Sequence, residues 1–519
     1  MFEFLAQNAQ AYPTRLALKG LRKRSRTSMT YAQYAVAVMK TAEVLRKLSL
    51  PPRSRLLNLS GNRPEWVVLD LAAQLADLIP CAMPAFVSEH NLQDFVRITE
   101  PDSAFVEDEG LAAKAAECGI KKIISYEDPL LQEAFEPSDA GLSLAIEELR
   151  RAGKGTNDDK TAYLTTSSGT TGGIKACRIS FGNARLYGPV IGKLMGLTGQ
   201  DSNFSFLPLS QTRMQDHYLF LANAGTVYHS GFDEDIYGQL LTEARPTFIA
   251  SAPFFFSEIK DRFQKVDDRS GPRQLSDHLG GATHLYTGTT PVDPRLIEFY
   301  REHGCSLLEG YGMTECSSMA TMNTPGREKS GTQGYVVPGV RVALAEDGEV
   351  LVAGPNVSPG YWNNETADRA TFSGGWLHTG DLGRFDGDGA LVLEGRKKEI
   401  VILSNGKKLF PERYERGFRG IPEISFAMLA GSGKENPGIL LDLKEGCVVT
   451  GELERKIREM VEVINGPLPS DEKIGRWLFL DPPLSIERGE ITTSFKLKRH
   501  VIEKNRARLI EDLYGEKNG

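Results

Sequence analysis

The 519-residue sequence lacks long hydrophobic runs, paired cysteine motifs and an excess of basic residues. No stretch approaches the ~18 uncharged apolar residues that a membrane-spanning helix requires. The most apolar window, residues 66–86, is interrupted by Asp70, Gln74 and Asp77. Residues 1–8 contain neither the basic leader nor the apolar core segment of a targeting signal. These absences predict a cytoplasmic protein without a transmembrane segment.

The cysteines and the charges argue against further classes of protein. The six cysteines are scattered without C-x-x-C spacing, which is atypical of a zinc site or a disulfide scaffold. The 61 Lys and Arg residues against 68 Asp and Glu residues give a net charge of −7, which disfavours nucleic acid as the main partner. A hydrophobic content of 40% and a charged content of 25% are typical of a globular protein. The length predicts about two to four domains or subdomains.

The most distinctive stretch is residues 163–175, which read Y-L-T-T-S-S-G-T-T-G-G-I-K. Glycine lets backbone N–H groups approach a ligand, hydroxyl side chains add donors, and successive N–H groups in a tight turn can bind an anion. The same composition is also typical of a solvated turn or linker. The stretch is not the G-x-x-x-x-G-K-[ST] signature, because Ile174 lies five residues after Gly169. In addition, Ala176 follows Lys175.

Strand-like and helical segments alternate along the chain. The strand-like segments before the hydroxyl-rich stretch are residues 16–19, 56–59, 104–106 and 122–125. Residues 65–78 have helical apolar spacing, and the alternation predicts a doubly wound parallel sheet. The charged, small-residue tract 139–159 is interpreted as a surface connection. The basic cluster Arg22, Lys23, Arg24 and Arg26 is interpreted as a solvated hairpin tip, with anionic lipid or the 3′-phosphate of a nucleotide thiol as alternatives.

Candidate ligand residues follow several predicted strands. Residues 203–210, 247–253 and 284–290 each end in small polar residues, where an open parallel sheet places its ligand crevice. The motif Y-G-M-T-E at 311–315 ends in Glu315, which fits either a helix start or a ligand role. A single carboxylate opposite a phosphate loop is sufficient for Mg²⁺, because the metal keeps waters and phosphate oxygens as ligands.

The character of the chain changes after residue 334. Residues 334–393 contain short alternating strands and predict a small β-barrel or sheet subdomain. Asp381, in H-T-G-D, is either a turn-capping residue or a carboxylate that a tight turn presents to a ribose diol. Asn405-Gly406 is a hairpin signal, and the residues after 400 suffice for a small domain of mixed strand and helix.

Taken together and in order, five motifs resemble those of the adenylate-forming superfamily of acyl-CoA synthetases, peptide-synthetase adenylation domains and luciferases. They are S-S-G-T-T-G-G-I-K at 167–175, Y-G-M-T-E at 311–315, H-T-G-D at 378–381, G-R-K-K-E at 395–399 and the terminal Lys496. In motif detail the chain is most similar to the long-chain fatty acyl-CoA synthetases. That similarity rests on F-L-P-L-S at 206–210, E-G-Y-G-M-T-E at 309–315, L-S-N-G-K at 403–407 and I-T-T-S-F-K-L-K-R at 491–499.

The resemblance implies an α/β fold with a large N-terminal domain and a small mobile C-terminal domain. Residues 1–395 would form the AMP- and acyl-binding domain of doubly wound sheets, with a small β-barrel subdomain at about 325–395. Residues 396–399 would form a hinge centred on Lys398. Residues 400–519 would form an α+β lid that turns between the two half-reactions.

The implied reaction has two steps and uses ATP, Mg²⁺ and coenzyme A. An apolar, fatty carboxylic acid attacks the α-phosphorus of ATP and releases pyrophosphate, and a thiol then attacks the acyl-adenylate. Two alternatives stay open: transfer to a carrier-protein phosphopantetheine, and a nucleotide-binding protein without catalysis. Expected partners are these small molecules and no nucleic acid, and a homodimer stays open.

The resemblance also assigns site residues, starting with the catalytic and metal-binding ones. Lys496 would bridge the α-phosphate and the acyl carboxylate, and Thr171 and Glu315 would position Mg²⁺. The leaving phosphates would be held by Ser167, Ser168, Gly169, Thr170, Thr171, Gly172 and Lys175. Adenine and ATP contacts would come from Thr289, Thr290, Pro291, Glu309, Tyr311, Gly312, Met313 and Thr314. Asp381 and Arg396 would bind the ribose, and the acyl group would contact Gln211, Tyr228, Ser251, Tyr286 and Gly312.

The chain departs from the family pattern at a few of these positions. Ile174 and Ala176 stand where the family usually has Pro and Gly. Gln211 occupies a position that is commonly His near the substrate carboxylate. Thr289 and Thr290 replace the usual Gly and Ala. These departures bear on the acyl substrate and on nucleotide affinity.

Overall fold

The computed structural model describes residues 1–22, 25–167, 174–210, 214–231, 235–265, 274–288, 292–491 and 497–515. The chain divides into two compact units. The first consists of Met1–Thr290, Leu296–Ala343 and Leu351–His378, and the second of Pro291–Arg295, Leu344–Val350 and Thr379–Gly519. The domain boundary at residue 395 and the hinge at 396–399 stay predictions.

The helices and strands follow one another closely along the described chain. The helices are α1 (Phe2–Ala11), α2 (Tyr31–Lys47), α3 (Pro64–Leu75), α4 (Glu89–Thr99), α5 (Glu109–Glu117), α6 (Pro129–Phe135), α7 (Leu142–Gly155), α8 (Phe181–Met195), α9 (Met214–Ala222), α10 (Gln239–Ala244), α11 (Pro253–Lys265), α12 (Pro294–Glu302), α13 (Glu365–Thr371), α14 (Pro411–Glu415), α15 (Gly451–Asn465), α16 (Arg499–Asn505) and α17 (Ala507–Tyr514). The strands are β1 (Leu16–Gly20), β2 (Ser28–Thr30), β3 (Arg55–Leu59), β4 (Ile79–Met83), β5 (Ser103–Val106), β6 (Ile123–Ser125), β7 (Thr161–Ser167), β8 (Lys175–Ser180), β9 (Ser202–Ser205), β10 (Thr226–His229), β11 (Phe248–Ser251), β12 (His284–Thr287), β13 (Leu307–Tyr311), β14 (Thr321–Met322), β15 (Tyr335–Val336), β16 (Arg341–Leu344), β17 (Glu349–Ala353), β18 (Phe372–Ser373), β19 (Trp376–Phe385), β20 (Leu391–Arg396), β21 (Val401–Ile402), β22 (Lys408–Leu409), β23 (Ile424–Ala430), β24 (Gly438–Leu443) and β25 (Arg476–Phe479).

Two large sheets form the frame of the first unit. The six-stranded sheet has the order β6-β5-β3-β4-β7-β8, parallel except for the antiparallel β7–β8 pair. The nine-stranded sheet has the order β15-β14-β13-β12-β11-β9-β10-β1-β2, with a parallel centre from β13 to β1. Apolar strands buried on both faces explain the continuous runs. In β3, Leu57 and Leu59 lie in the cluster that contains Phe95, and Leu56 on the opposite face is buried as well. The predicted doubly wound α/β architecture is confirmed.

Helix caps fix the connections that lead away from the hydroxyl-rich stretch. Ser180 accepts a hydrogen bond from the backbone N–H of Asn183, so α8 begins directly where β8 ends. The Asn183 side chain donates to the carbonyl oxygens of Pro355 and Val357. The first turn of α8 therefore anchors the segment that precedes Tyr361.

The structure corrects the interpretation of residues 139–159. The tract contains helix α7, in which Ala145 and Leu149 are buried. Leu142, Ala145 and Leu149 recur at helical spacing, so one face of the tract packs, while most of the charged side chains stay in solvent and Glu148 pairs with Arg46. The composition of the tract predicts a surface connection, but the spacing of its three apolar residues favours the helix that the structure contains.

The basic cluster is also corrected in part. Arg22 is buried rather than solvated, and its Nη1 lies 2.8 Å from Glu107 Oε1. Arg26 pairs with Glu243 at 3.1 Å, and Lys23 and Arg24 lie outside the described residues. Ion pairing explains how a guanidinium becomes buried in a region read as a solvated tip.

The second unit contains a three-stranded sheet, β23-β24-β25, covered by α15. Leu453 and Ile457 of α15 are buried with Phe418, and Thr450 caps the helix. Strands β21 and β22 form the hairpin that Asn405-Gly406 predicts. A five-stranded sheet has the order β16-β17-β19-β18, with β20 paired to β19. None of the helices within the described ranges is long and apolar enough to cross a membrane.

Candidate active site

The hydroxyl-rich stretch is held at its two ends by a pair of strands. Ser167 ends β7 and Lys175 begins β8, and the two are cross-strand partners in an antiparallel ladder. The chain therefore leaves the sheet at Ser167 and returns beside it at Lys175. Predicted phosphate-binding residues Ser168, Gly169, Thr170, Thr171 and Gly172 lie outside the described residues.

Glu315 is a buried carboxylate of the first unit that accepts two side-chain hydrogen bonds. It lies in a short 3₁₀ turn, Thr314–Cys316, after β13, and it is only 3% exposed. Its Oε1 accepts hydrogen bonds from the Ser167 hydroxyl and, at 2.7 Å, from the Tyr361 hydroxyl. Its backbone carbonyl accepts from the N–H of Ser358 at 2.8 Å. The structure thus brings together Ser167 and Glu315, two predicted site residues that are far apart in sequence.

Tyr361 belongs to this cluster, although no motif in the sequence singles it out. The Lys175 ammonium lies 4.7 Å from the centre of its ring. Its backbone pairs with Cys177 of β8, and Trp362 N–H donates to the Ala176 carbonyl oxygen at 2.7 Å. Burial and the Glu315 carboxylate raise the pKa of Tyr361 above its usual value. A lone tyrosine among turns is equally typical of a packing residue, so no sequence signal distinguished it.

The other residues of the Y-G-M-T-E motif form a tight corner at the end of β13. Tyr311 is buried, and Met313 N–H donates to the Cys316 thiol sulfur at 3.3 Å. A Cβ at Gly312 would lie 2.3 Å from the Ser318 carbonyl carbon, so only glycine fits without a shift of the backbone. Thr314 begins the turn that presents Glu315.

Polar side chains line the carboxyl ends of three parallel strands. Ser251, Thr287 and Glu309 are cross-strand partners on β11, β12 and β13. The Ser251 and Thr287 hydroxyls are buried without a hydrogen-bond partner among the described residues. Glu309 Oε1 accepts from the Gln333 side-chain amide at 2.8 Å. The predicted adenine residues Thr289, Thr290 and Pro291 lie outside the described residues.

The predicted acyl-binding residues lie on both faces of the nine-stranded sheet. Tyr286 pairs with Ala250, so strand alternation places its side chain on the face opposite Ser251. Tyr228 is half-buried on β10, where burial raises its pKa. Tyr286 lines a narrow, mostly apolar pocket with Tyr187, Ile191, Met195, Phe248 and Met322. Gln211 lies outside the described residues.

In the second unit, Asp381 and Arg396 are cross-strand partners on β19 and β20. Arg396 Nε lies 2.9 Å from Asp381 Oδ1, and the carboxylate is far more buried than the guanidinium. The H-T-G-D segment is part of strand β19 rather than a tight turn. The local irregularity is Gly380, which has a φ of +72° and donates its N–H to Glu349 Oε1. The pairing of β19 with β20 therefore fixes the position of Asp381, and the local motif does not reveal this pairing.

Lys398 lies in the short 3₁₀ turn Lys397–Glu399 that follows β20. Lys496 lies outside the described residues, and Ile491 and Leu497 on either side of it form an isolated bridge. Arg499 forms ion pairs with Glu399 and Glu415, so the turn that contains Lys398 is tied to the start of α16.

Comparison with known proteins defines the class. A family profile described as AMP-binding enzyme matches residues 5–362, and one described as AMP-binding enzyme C-terminal domain matches residues 398–518. Matched over most of its length, the chain is an adenylate-forming enzyme. It belongs to the AMP-binding enzyme family, and within that family it is an acyl-CoA synthetase, an AMP-forming ligase, as the motifs predict.

Curated relatives are similar over 79% to 99% of this chain. The long-chain-fatty-acid–CoA ligase FadD15 of Mycobacterium bovis is 28% identical over 94% of this chain and 93% of its own. The long-chain-fatty-acid–CoA ligase ACSBG2 of Gallus gallus is 24% identical over 99% of this chain and 81% of its own. An indoleacetate–CoA ligase of Aromatoleum aromaticum is 28% identical over 79% of this chain and 81% of its own.

Solved structures show the same fold. The o-succinylbenzoate CoA synthetase MenE of Bacillus subtilis, in complex with its acyl-adenylate intermediate, has a TM-score of 0.78 at 24% identity. The match covers 96% of this chain and 97% of that one. MatB of Rhodopseudomonas palustris, with ATP bound, also has a TM-score of 0.78, at 22% identity over 98% and 99% of the two chains.

Proposed function

We propose that this protein activates an apolar, fatty carboxylic acid as its acyl-adenylate and transfers the acyl group to coenzyme A. The observation that carries the proposal is the buried cluster of Glu315, Ser167 and Tyr361 beside Lys175. A fixed carboxylate and an ammonium at the two ends of a hydroxyl-rich stretch suit a metal-bound polyphosphate. The names of the long-chain relatives support the acyl-CoA assignment.

The proposed reaction exchanges one bond in each step. An oxygen of the acid forms a bond to the α-phosphorus of ATP, and the bond from that phosphorus to the bridging oxygen breaks to release pyrophosphate. The thiolate of coenzyme A then attacks the acyl carbonyl carbon, and the carbon–oxygen bond to AMP breaks. The thiol loses its proton to solvent or to a base in this second step.

The residues at Glu315 fit a bound Mg²⁺ ion. Both hydrogen bonds from Ser167 and Tyr361 go to Oε1, so neither occupies Oε2 of this buried carboxylate. Carboxylate and hydroxyl oxygens are the hard ligands that Mg²⁺ prefers, and Glu315 with Thr171 would supply them. When bound, Mg²⁺ would neutralise charge on the phosphate oxygens.

The chain's own residues would hold ATP at three places. Lys175 and the backbone and hydroxyl donors of residues 167–172 would bind the β- and γ-phosphates as charge develops on the leaving pyrophosphate. Asp381, held by Arg396, would accept hydrogen bonds from the ribose hydroxyls. Lys496 would neutralise both the attacking carboxylate and the α-phosphate, which would otherwise repel each other.

The substrate class is proposed from two features. The small pocket next to Tyr286 has mostly apolar walls from α8 and the nine-stranded sheet, which disfavour a charged group there, although in this structure it is too small for an alkyl chain. The relatives named as long-chain fatty acid ligases support an alkyl chain, whereas the indoleacetate–CoA ligase shows that a similar chain can use an aryl acid. An alkyl acid is therefore our first choice and an aryl acid the comparison.

Acid-dependent exchange of labelled pyrophosphate into ATP tests the proposal. A panel of straight-chain acids from short to long, with aryl and amino acids as comparisons, should give exchange that rises with alkyl length to an optimum. Exchange only with aryl acids would contradict the fatty substrate. No exchange with any acid would contradict the enzyme function.

The acceptor needs its own experiment. Coenzyme A added to preformed acyl-adenylate and the protein should yield acyl-CoA and AMP. Failure with coenzyme A, combined with transfer to a phosphopantetheine carrier protein, would favour the carrier-loading alternative.

A further inference from the structure

Tyr361 touches both charged groups at the ends of the hydroxyl-rich stretch. Its hydroxyl donates to Glu315 Oε1 at 2.7 Å, and the face of its ring lies 4.7 Å from Lys175 Nζ. Glu315 comes from the turn after β13 and Lys175 from the start of β8. One side chain therefore contacts two elements that the sequence separates widely.

The hydroxyl contact restricts the orientation of the carboxylate. Ser167, at the end of β7, donates to the same oxygen. Glu315 Oε1 therefore accepts hydrogen bonds from two hydroxyl groups, those of Ser167 and Tyr361. Hydrogen bonds to a charged, buried acceptor are stronger than neutral ones and fix its direction. A phenol carries its proton at neutral pH, so the Tyr361 hydroxyl is the donor in its hydrogen bond to Glu315.

The ring contact restricts the lysine. An ammonium above an aromatic face is attracted by the negative charge of the ring face, and this attraction limits the positions of a flexible side chain. The backbone is fixed as well, because residues 361 and 362 bond to β8 at Cys177 and Ala176. Tyr361 thus has little freedom of its own to move away.

We propose that Tyr361 is a positioning residue that aligns the Glu315 carboxylate for Mg²⁺ and the Lys175 ammonium for the phosphates of ATP. It acts before substrate binds, by holding each of the two charged groups in a fixed place. The inference rests on the proposed function, because it assumes that Glu315 and Lys175 receive metal-bound ATP. It does not require Tyr361 to touch the substrate.

Binding of ATP in the absence of acid, measured by titration calorimetry with Mg²⁺ and again with a chelator, tests the inference without catalysis. Tyr361→Phe removes only the hydroxyl and keeps the ring over Lys175. The factor by which Mg²⁺ tightens ATP binding should fall about tenfold in this variant, a change of about 1.4 kcal/mol. Tyr361→Leu removes the ring as well, and its metal-free ATP binding should weaken about threefold.

Tyr300→Phe is the matched control. The Tyr300 hydroxyl is also buried in the first unit, where it donates to the Phe256 carbonyl oxygen at 2.9 Å. Tyr300→Phe removes a phenol oxygen, as Tyr361→Phe does. This variant should keep the full effect of Mg²⁺ on ATP binding, with at most a lower unfolding temperature. Thermal unfolding of all variants without ligand shows that each is folded at the assay temperature.

The outcomes separate the inference from the function on which it rests. Tyr361→Phe with the same Mg²⁺ effect as wild type would overturn the positioning role while leaving the proposed function intact. An equal loss in Tyr361→Phe and Tyr300→Phe would also overturn it, because a general loss of packing would then explain both. If wild-type protein bound ATP equally tightly with and without Mg²⁺, this result would overturn both the proposed function and this inference.

Discussion

At the residue scale, Glu315 is the carboxylate on which the proposed chemistry depends most. It is buried, it accepts two hydroxyl hydrogen bonds at one oxygen, and its backbone carbonyl is bonded to Ser358. A buried charge held in this way is costly unless a cation completes the site. This arrangement suits a group that binds a metal–phosphate complex.

The first prediction concerns the charge of Glu315. Glu315→Gln keeps the shape and one acceptor oxygen but removes the negative charge. Acid-dependent pyrophosphate exchange should fall about 10²- to 10³-fold, as is typical when a group acting mainly in the transition state is lost. Glu243→Gln, which removes an exposed charge near Lys19 and Arg26, is the control and should retain full exchange. Exchange in Glu315→Gln within a factor of about two of wild type would exclude the metal role.

Asp70 on α3 should make the free energy of unfolding depend on pH. Burial raises its pKa from 3.8 to about 7, although Gln74 and Tyr218 donate to its Oδ2. Between pH 3.8 and about pH 7, the folded chain therefore keeps a proton on Asp70 that the unfolded chain has released. The stability contributed by this proton is present at low pH and is lost as the pH rises toward about 7.

The variant Asp70→Asn removes this titration and keeps an acceptor oxygen. The free energy of unfolding of Asp70→Asn relative to wild type should rise by about 2 kcal/mol between about pH 5 and about pH 7. Denaturant unfolding at both pH values measures the change, and other titrating groups cancel in the comparison. A difference that is independent of pH would show that Asp70 stays ionised in the folded protein.

At the element scale, α7 packs against α1 and α2 through the buried face of the helix. Leu149 is fully buried, whereas Leu144 on the same helix is 57% exposed. Leu149→Ala should lower the free energy of unfolding by about 2 to 5 kcal/mol because it leaves a cavity. Leu144→Ala, the same chemical change, should alter it by less than about 0.5 kcal/mol. Equal effects in denaturant unfolding would mean that α7 does not pack as described.

The sequence predicts elements well where one periodic signal dominates. The strands β3, β5 and β12 and helix α3 lie where apolar runs and helical spacing predict them. Helix α7 is missed because three apolar residues are diluted by charged ones, and composition then outweighs periodicity. The H-T-G-D segment suggests a turn, yet it is paired in β19, since ladder partners far along the chain decide strand structure.

Only those residues of the candidate site that lie in short, recognisable sequence motifs can be predicted from the sequence. Ser167, Lys175 and Glu315 can be selected because glycines, hydroxyls and a charge cluster in a few residues. Tyr361 and the buried Arg22 cannot, because their roles arise from contacts with residues that are distant in sequence. A local pattern contains no information about such pairs until the sheet register is known.

At the scale of the whole molecule, the two units contribute different parts of the proposed chemistry. The first contains the Glu315 cluster, and the second contains the Asp381–Arg396 pair and the residues on either side of Lys496. The assignment of Lys496 to the first half-reaction predicts a separation of the two steps. Rotation about Lys398 between these steps stays a prediction.

Lys496→Ala should abolish adenylation while thioester formation from supplied acyl-adenylate continues. The lysine would neutralise charge only while carboxylate and α-phosphate approach each other, which explains the difference. Lys504→Ala, an exposed lysine on α16, is the control and should leave both steps unchanged. An equal loss of both half-reactions in Lys496→Ala would contradict the role assigned to this lysine.

The central claim is that this protein transfers the adenylyl group of ATP to a fatty acid. The most direct measurement is mass spectrometry of the products formed from wild-type protein, Mg²⁺, ATP and a long-chain acid without coenzyme A. The account predicts acyl-adenylate and pyrophosphate, and the conversion of the adenylate to acyl-CoA and AMP when coenzyme A is added. Acid-dependent formation of ADP, or the absence of any acid-dependent nucleotide product, would contradict it.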